Sequence, residues 1–407
     1  MKPTVEHSSK LKNVRYSIRG SLAEEAKRME QEGAHILHLN IGNPYPHGFG
    51  APDEIVVDMI YNLRSSQGYT DSKGLFSARK AIMQYCQLRG IPGVGIEDIY
   101  TGNGVSEMIT MSLQAMLENG DEILVPMPDY PLWTASVSLC GGVPVHYRCD
   151  EQNGWNPDLA DIERKVTSRT KGIVVINPNN PTGVLYDTEI LKGIVEIARK
   201  HGLVLFADEI YDRLLMDDRH HVPLASLAPD LLTLCFNGLS KSHRVAGFRS
   251  GWLCLAGDKR NAKGYIQGLN LLSSLRLCSN VPGQSIIQTA LGGYQSCDDL
   301  LKPGGRIYEQ REFIYSALSA MPGVSVVKPH AAFYIFPKID TEMYGIESDE
   351  QFALELLRQK KVLINHGTGM SWDRPDHFRI VFLPEVTILK NAMERLSDFL
   401  DARRKKA

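Results

Sequence analysis

Five apolar runs of strand length constrain the fold of this 407-residue chain more than any other feature. They are EILV at 122–125, GIVVI at 172–176, LVLFA at 203–207, LLTLCF at 231–236 and GWLCL at 251–255, separated largely by segments of helical periodicity. Such alternation predicts an α/β fold: a mostly parallel sheet with helices on both faces. The clearest unit joins 171–176 to 203–207 through a helix over about 187–201, and its crossover is expected to be right-handed. Ligands of such sheets gather beyond the carboxyl ends of the strands. Polar residues concentrate there, at 101–106, 126–130, 177–183, 208–211 and 237–252.

The rest of the chain has a different texture. A polar arm over 1–13 is followed by a helical pattern from 21 to about 33 and a short strand within 35–44. Beyond about 303 the alternation loosens into a long helix over 305–320, the strand-like FYIF at 333–336, a helix over about 349–360, HFRIVF at 377–382 and a terminal helix. The length exceeds one average domain, so we expect a large domain over 50–300 and a smaller α+β domain built from 14–49 and 301–407.

Composition narrows the function classes. A net charge of -2 argues against a nucleic-acid binder, and the basic cluster at 403–406 reads as a solvated tail. Seven cysteines without a CxxC pair are expected to be reduced thiols. No run reaches the length of a membrane span and the N-terminal stretch lacks an apolar core, so the expected location is the cytoplasm, away from any membrane. His220 and His221 lack a second ligand pair at metal spacing; they read as loop residues, and no metal site is expected.

The chemistry starts at Lys241, in NGLSKSHRVAGFRSGW (237–252). A lysine at a strand end among small residues could join a carbonyl cofactor as an imine. Its amine, with a reference pKa of ~10.4, must first lose its proton, which a desolvated pocket and a cation such as Arg249 would favour. Pyridoxal phosphate chemistry further requires an acid for the pyridine nitrogen, donors for the phenolate oxygen and an anion site. Asp208 ends the apolar strand LVLFAD, where it either meets a cation such as a protonated pyridine or caps a following helix. Tyr211, expected on the first helical turn, and Asn180, in a proline-stiffened loop, are the candidate donors to the phenolate; ordinary packing is the other reading of the tyrosine. Gly102 to Ser106 precede a helix expected from about Glu107, a fit for phosphate, while the dinucleotide pattern GxGxxG is absent. Tyr130, between two prolines, is either a stacking ring or a turn residue. Arg379, inside HFRIVF, awaits either a substrate carboxylate or an internal acid.

SKSHRVAGFRSGW resembles the pyridoxal-lysine motif of the class I aminotransferases of fold type I, and NPNNPTG and ADEIY resemble their other hallmark segments, in the same order. The resemblance runs from about residue 10 to the C-terminus. Within the family it is nearest the bacterial glutamate-pyruvate (alanine) transaminases, through SKLKNV, LNIGNP, GYTDSKG, PDYPLWTA, FNGLSK, RVAGFR and PDHFRIV. It implies pyridoxal 5'-phosphate as cofactor, held as an imine by Lys241, which then shuttles the proton of the substrate's α-carbon. Asp208 would keep the ring nitrogen protonated, Tyr211 and Asn180 would hold the phenolate, and Tyr130 would stack on the ring. Arg249, Ser240 and the backbone N–H groups of Val105 and Ser106 would hold the phosphate, with Tyr69 supplied by the second subunit of a homodimer with shared active sites. Arg379, Asn180 and the backbone of Gly42 would bind the α-carboxylate; apart from the resemblance, a dicarboxylate needs a second cation, and Arg19 is either that cation or an ordinary surface arginine. The implied reaction is ping-pong amino transfer between alanine or glutamate and pyruvate or 2-oxoglutarate. Transaminases of other specificity, and lyases or oxidases on this scaffold, share such motifs. The chain departs from the pattern at Gly238, where many relatives carry serine, at NHGTGM (365–370), and at HAAF (330–333), where a glycine is usual at Ala331. The last two segments are expected near the substrate.

Overall fold

The computed structural model describes residues 5–8, 10–11, 14 and 20–404. Among these, an eight-stranded sheet runs, edge to edge, through Ile99–Asn103, Ser250–Ala256, Thr233–Gly238, Val204–Asp208, Thr170–Ile176, Glu122–Met127, Val143–Asp150 and Asn156–Pro157. The central strands pair in parallel, with Ile176 opposite Asp208 and Asp208 opposite Phe236. Ser250–Ala256 is antiparallel to both neighbours. That reversal matters for the site. The strand begins where its neighbours end, so Arg249, just before it, joins Asp208 at the same rim.

Successive side chains of these strands point to opposite faces, and both sets are buried. Ile173, Val175, Leu205 and Ala207 pack with Leu191, Ile194, Val195 and Ala198 of the helix Thr188–His201. Val174, Ile176 and Phe206 pack with Met108 and Ile109 of the helix Val105–Gln114. The spacing of 191, 194, 195 and 198 is that of a single helical stripe, and the helix ends where Gly202 turns left-handed at φ +66°.

A further core gathers the helices Ser21–Gln31, Arg306–Ser319, Asp349–Lys360 and Val386–Arg403 around short strands. Tyr334–Ile335, Phe378–Val381 and Asn365–His366 form an antiparallel sheet centred on Phe378–Val381. Tyr211, Leu214 and Met216 are buried in this core, so the segment after Asp208 ties the large sheet to it.

Two expectations change. The helix expected near Glu107 starts at Val105. Tyr211 is not on a helical turn, because no helix follows Asp208: hydrogen bonds from Asp212 N–H to the Glu209 carbonyl (3.0 Å) and from Leu214 N–H to the Tyr211 carbonyl (2.8 Å) make a run of tight turns instead. A carboxylate at 209 accepts the Leu224 backbone N–H at 2.8 Å and one at 212 accepts the Tyr85 hydroxyl, so both are drawn toward neighbouring elements. The helix-capping reading of Asp208 therefore falls away.

Candidate active site

A cavity of about 590 Å³ opens at the rim, a size suited to a small cofactor with a substrate. Gly42, Val105, Ser106, Tyr130, Asn180, Asp208, Tyr211, Ser240, Lys241, Arg249 and Arg379 all line it. Tyr69 does not; it is 81% exposed on the surface. Arg19 lies outside the described residues.

Lys241 Nζ donates to the Gly42 carbonyl at 2.8 Å. Desolvation, followed by the nearby cations of Arg379 and Arg249, draws its pKa down to about 8, against the opposing pull of Asp208. A Cβ at Gly42 would collide with the side chains of Tyr334 and Phe333, so a larger residue there would displace those rings. On the floor of the cavity, burial pushes the Asp208 carboxyl up to about 6, while Trp133, the Ile210 backbone N–H and Lys241 pull it down. Trp133 Nε1 donates to Oδ2 at 2.9 Å, and Oδ1 is buried without a hydrogen bond among the described residues. A buried acceptor in that condition is costly unless a ligand supplies the donor.

The sequence reading missed Trp133. A buried indole N–H needs an acceptor, and that need was the available signal. Tyr211 Oη lies 2.8 Å from Tyr334 Oη, and burial raises its pKa well above the ordinary value, so it stays a neutral donor. Asn180 Oδ1 accepts from Arg379 Nη1 at 2.9 Å. Because a guanidinium only donates, Asn180 must present its Nδ2 donor elsewhere.

The helix Val105–Gln114, whose first residues line the cavity, begins after Gly104 with no side-chain cap. Its first-turn N–H groups have no intrahelical partners. Arg249 is held left-handed at φ +53°, with Nη1 donating to the Ala246 carbonyl at 2.8 Å and Nη2 to the Asn103 carbonyl at 3.2 Å. Its guanidinium reaches the helix start so closely that a Cβ on Gly104 would lie 2.1 Å from Nη2. Helix end, guanidinium and the hydroxyls of Ser106 and Ser240 make an anion cradle.

Arg379 is buried, with its guanidinium 4.7 Å from the centre of the Tyr334 ring. It donates to Asn180, to the Asn40 carbonyl and, at 2.9 Å, to Asn365 Oδ1. Those three acceptors are neutral, and they orient the guanidinium. Of the divergent 365–370 segment, Asn365 reaches the arginine, whereas His366 turns to Thr368 Oγ1 at 2.9 Å and Met370 is buried. In the 330–333 segment His330 Nδ1 lies 3.0 Å from Asp217 Oδ2 and Ala331 and Ala332 are buried away from the cavity, whereas the Phe333 ring lies 5.9 Å from Lys241 Nζ and packs edge-on against Tyr211. Gly238 is also absent from the lining, and its N–H donates to Asn237 Oδ1 at 2.7 Å.

An orphaned carboxylate oxygen, a lysine with depressed basicity and a cationic cradle fit the needs of pyridoxal phosphate one by one. Residues 34–396 match the family model of aminotransferases of class I and II. The chain is 59% identical over 396 residues to the glutamate-pyruvate aminotransferase AlaA of Escherichia coli K12, covering 97% of this chain and 98% of that one. It is 56% identical over 394 residues to an alanine aminotransferase of Mycobacterium bovis, covering 97% and 92%. The crystal structure of an aminotransferase from Escherichia coli superposes with a TM-score of 0.98 at 58% identity, over 99% of this chain and 100% of that one. An alanine aminotransferase from Pyrococcus furiosus does so at 0.93 and 36%, over 98% and 100%. With its fold, its rim of polar residues and these matches over nearly its whole length, the chain belongs to the class I and II aminotransferases.

Proposed function

We propose that this aminotransferase uses pyridoxal phosphate and exchanges amino groups between alanine or glutamate and pyruvate or 2-oxoglutarate, in two half-reactions. The observation that carries the cofactor reading is the meeting in one cavity of Lys241 and Asp208 Oδ1, which has no hydrogen bond among the described residues. The substrate reading is supported by the relatives at 59% and 56% identity, a glutamate-pyruvate and an alanine aminotransferase. When bound, the cofactor supplies a reactive carbonyl and an electron sink for the substrate's α-carbon.

The protein's own groups do the rest. Lys241 Nζ, its basicity lowered, takes the proton from the substrate's α-carbon and returns one in the reverse half-reaction. The Gly42 carbonyl holds that amine in place. Asp208, anchored through Oδ2 by Trp133, offers Oδ1 to a ring N–H. Tyr211 and Asn180 Nδ2 would donate to the ring oxygen, and Tyr130 would stack on the ring. The N–H groups of Val105 and Ser106, with Ser240 and Arg249, hold the phosphate. Arg379 receives the α-carboxylate, aided by Asn180 and the Gly42 backbone. Arg19 is the candidate for a distal carboxylate.

The exposed Val57, Ile60, Tyr61, Tyr69 and Phe76 support a homodimer in which Tyr69 completes the neighbouring phosphate site. We assign 50–300 to the large domain and 14–49 with 301–407 to the small one. Among the described residues no helix is long and apolar enough to cross a membrane, and we place the enzyme in the cytoplasm.

The test is a donor and acceptor panel on purified protein loaded with pyridoxal phosphate. Alanine with 2-oxoglutarate should yield pyruvate and glutamate. Amino acid consumed with no new amino acid formed would instead indicate a lyase or an oxidase, and turnover confined to other donors would reassign the specificity.

A further inference from the structure

His221 lies outside the cavity, its side chain fully enclosed, and both ring nitrogens are engaged. Arg89 Nη2 is 2.9 Å from Nδ1 and 3.2 Å from the His221 carbonyl, and Nε2 is 3.1 Å from the Asn177 carbonyl. A guanidinium only donates and a carbonyl only accepts. The ring must therefore be neutral, with its proton on Nε2. Burial agrees, lowering its pKa to about 4.

The two partners lead to the two loops that carry the site. Asn177 opens the loop that holds Asn180, and its backbone N–H donates to the Asp208 carbonyl at 3.0 Å. Arg89 Nη2 stands 3.9 Å from Asp212 Oδ2, which also accepts from the Tyr85 hydroxyl. Within 208–212 the roles divide by direction. Asp208 and Tyr211 line the cavity, whereas Glu209 and Asp212 do not. Glu209 Oε1 is fixed by Leu224 N–H and lies 3.8 Å from His221 Nε2. The turn is thus gripped from behind while its front faces the ligand.

We propose that His221 is a positioning residue, whose Nε2-protonated ring bridges the Asn177 carbonyl and Arg89 and so fixes Asn180 relative to the turn that carries Asp208 and Tyr211. The inference rests on the reading of the cavity as a pyridoxal phosphate site. Neither Asn180 nor Asp208 tolerates drift, since a displacement of ~1 Å in a reacting geometry can cost ~10²-fold. Asn180 also holds Arg379, so a loosened bridge reaches carboxylate recognition as well.

The test uses the full-length protein and four substitutions: His221→Leu, His221→Gln, Arg89→Met and Arg89→Lys. The readouts are the affinity of the cofactor-free protein for pyridoxal phosphate, the pH midpoint of the bound cofactor's visible absorbance, and kcat/KM. His221→Leu should weaken cofactor binding by ~10-fold or more and move the midpoint. His221→Gln, whose amide can still donate to the Asn177 carbonyl, should recover most of both. Arg89→Met loosens the bridge at a side chain that is 30% exposed and should act in the same direction but less, with Arg89→Lys restoring it. Wild-type affinity and midpoint in both His221→Leu and Arg89→Met would overturn the proposal, as would equal impairment of His221→Leu and His221→Gln. Should His221→Leu fail to fold, the Arg89 pair decides alone. A wild-type protein that takes up no pyridoxal phosphate would instead overturn the cofactor reading, before any substitution is compared.

Discussion

Two neighbouring groups of residues in the cavity, one around Lys241 and one around Arg379, meet opposite electrostatic demands. Around Lys241 the protein leaves matters incomplete: Asp208 Oδ1 is buried without a hydrogen bond among the described residues, and the lysine's charge is disfavoured. In the Arg379 group the guanidinium is already aimed, held by Asn180, the Asn40 carbonyl and Asn365. A reactive group is built so that a ligand completes it, whereas a recognition group is built to lose little entropy when a ligand arrives. Substitutions at the first should therefore strike kcat and cofactor retention, and those at the second should fall on KM.

The largest expected effect is at Lys241. Lys241→Ala should lower kcat by ~10⁴-fold or more with an unchanged circular dichroism spectrum, because it removes both the attachment point and the proton carrier. Asp208→Asn comes next. It keeps the volume but not the charge, and ~10³-fold in kcat with faster cofactor loss on dialysis is expected. Arg379→Lys keeps the charge but loses the fork, so kcat/KM for the amino acid should fall ~10²-fold, mostly through KM. A comparable loss in kcat would erase the contrast between the two groups. Asn365→Ala should show the same KM signature at ~10-fold, as one orienting acceptor disappears. The mildest change is Trp133→Phe: with its donor gone, Asp208 should titrate higher than about 6, and cofactor affinity near neutrality should drop a few-fold.

The pH dependence sharpens the same contrast. A protonated amine cannot attack a carbonyl, and Lys241 loses its proton at about 8 in the free protein. Capture of pyridoxal phosphate by cofactor-free enzyme should thus accelerate ~10-fold per pH unit below that point and level off above it, as stopped-flow absorbance would show.

Much of this organisation is legible in the sequence because it is local. The runs at 172–176 and 203–207 are strands that bury both faces, and an uninterrupted apolar run is what such a strand requires. Lys241, Asp208, Asn180 and Arg249 stand out because polar residues at the ends of such runs have few structural uses. The supporting contacts are hidden because they are distant in the chain. Trp133 meets Asp208 across 75 residues, and Asn365 meets Arg379 only through the register of two short strands. Turn geometry was hidden too: the segment after Asp208 looks helical, but Glu209 and Asp212 find partners outside it. His221 reads as a loop residue because its partners, an arginine and a backbone carbonyl, leave no motif.

The most direct measurement is borohydride reduction of the enzyme incubated with pyridoxal phosphate, followed by peptide mass mapping. A pyridoxyl-phosphate adduct confined to Lys241, and missing in Lys241→Ala, is the predicted result. A label spread over surface lysines, or none at all, would contradict the account.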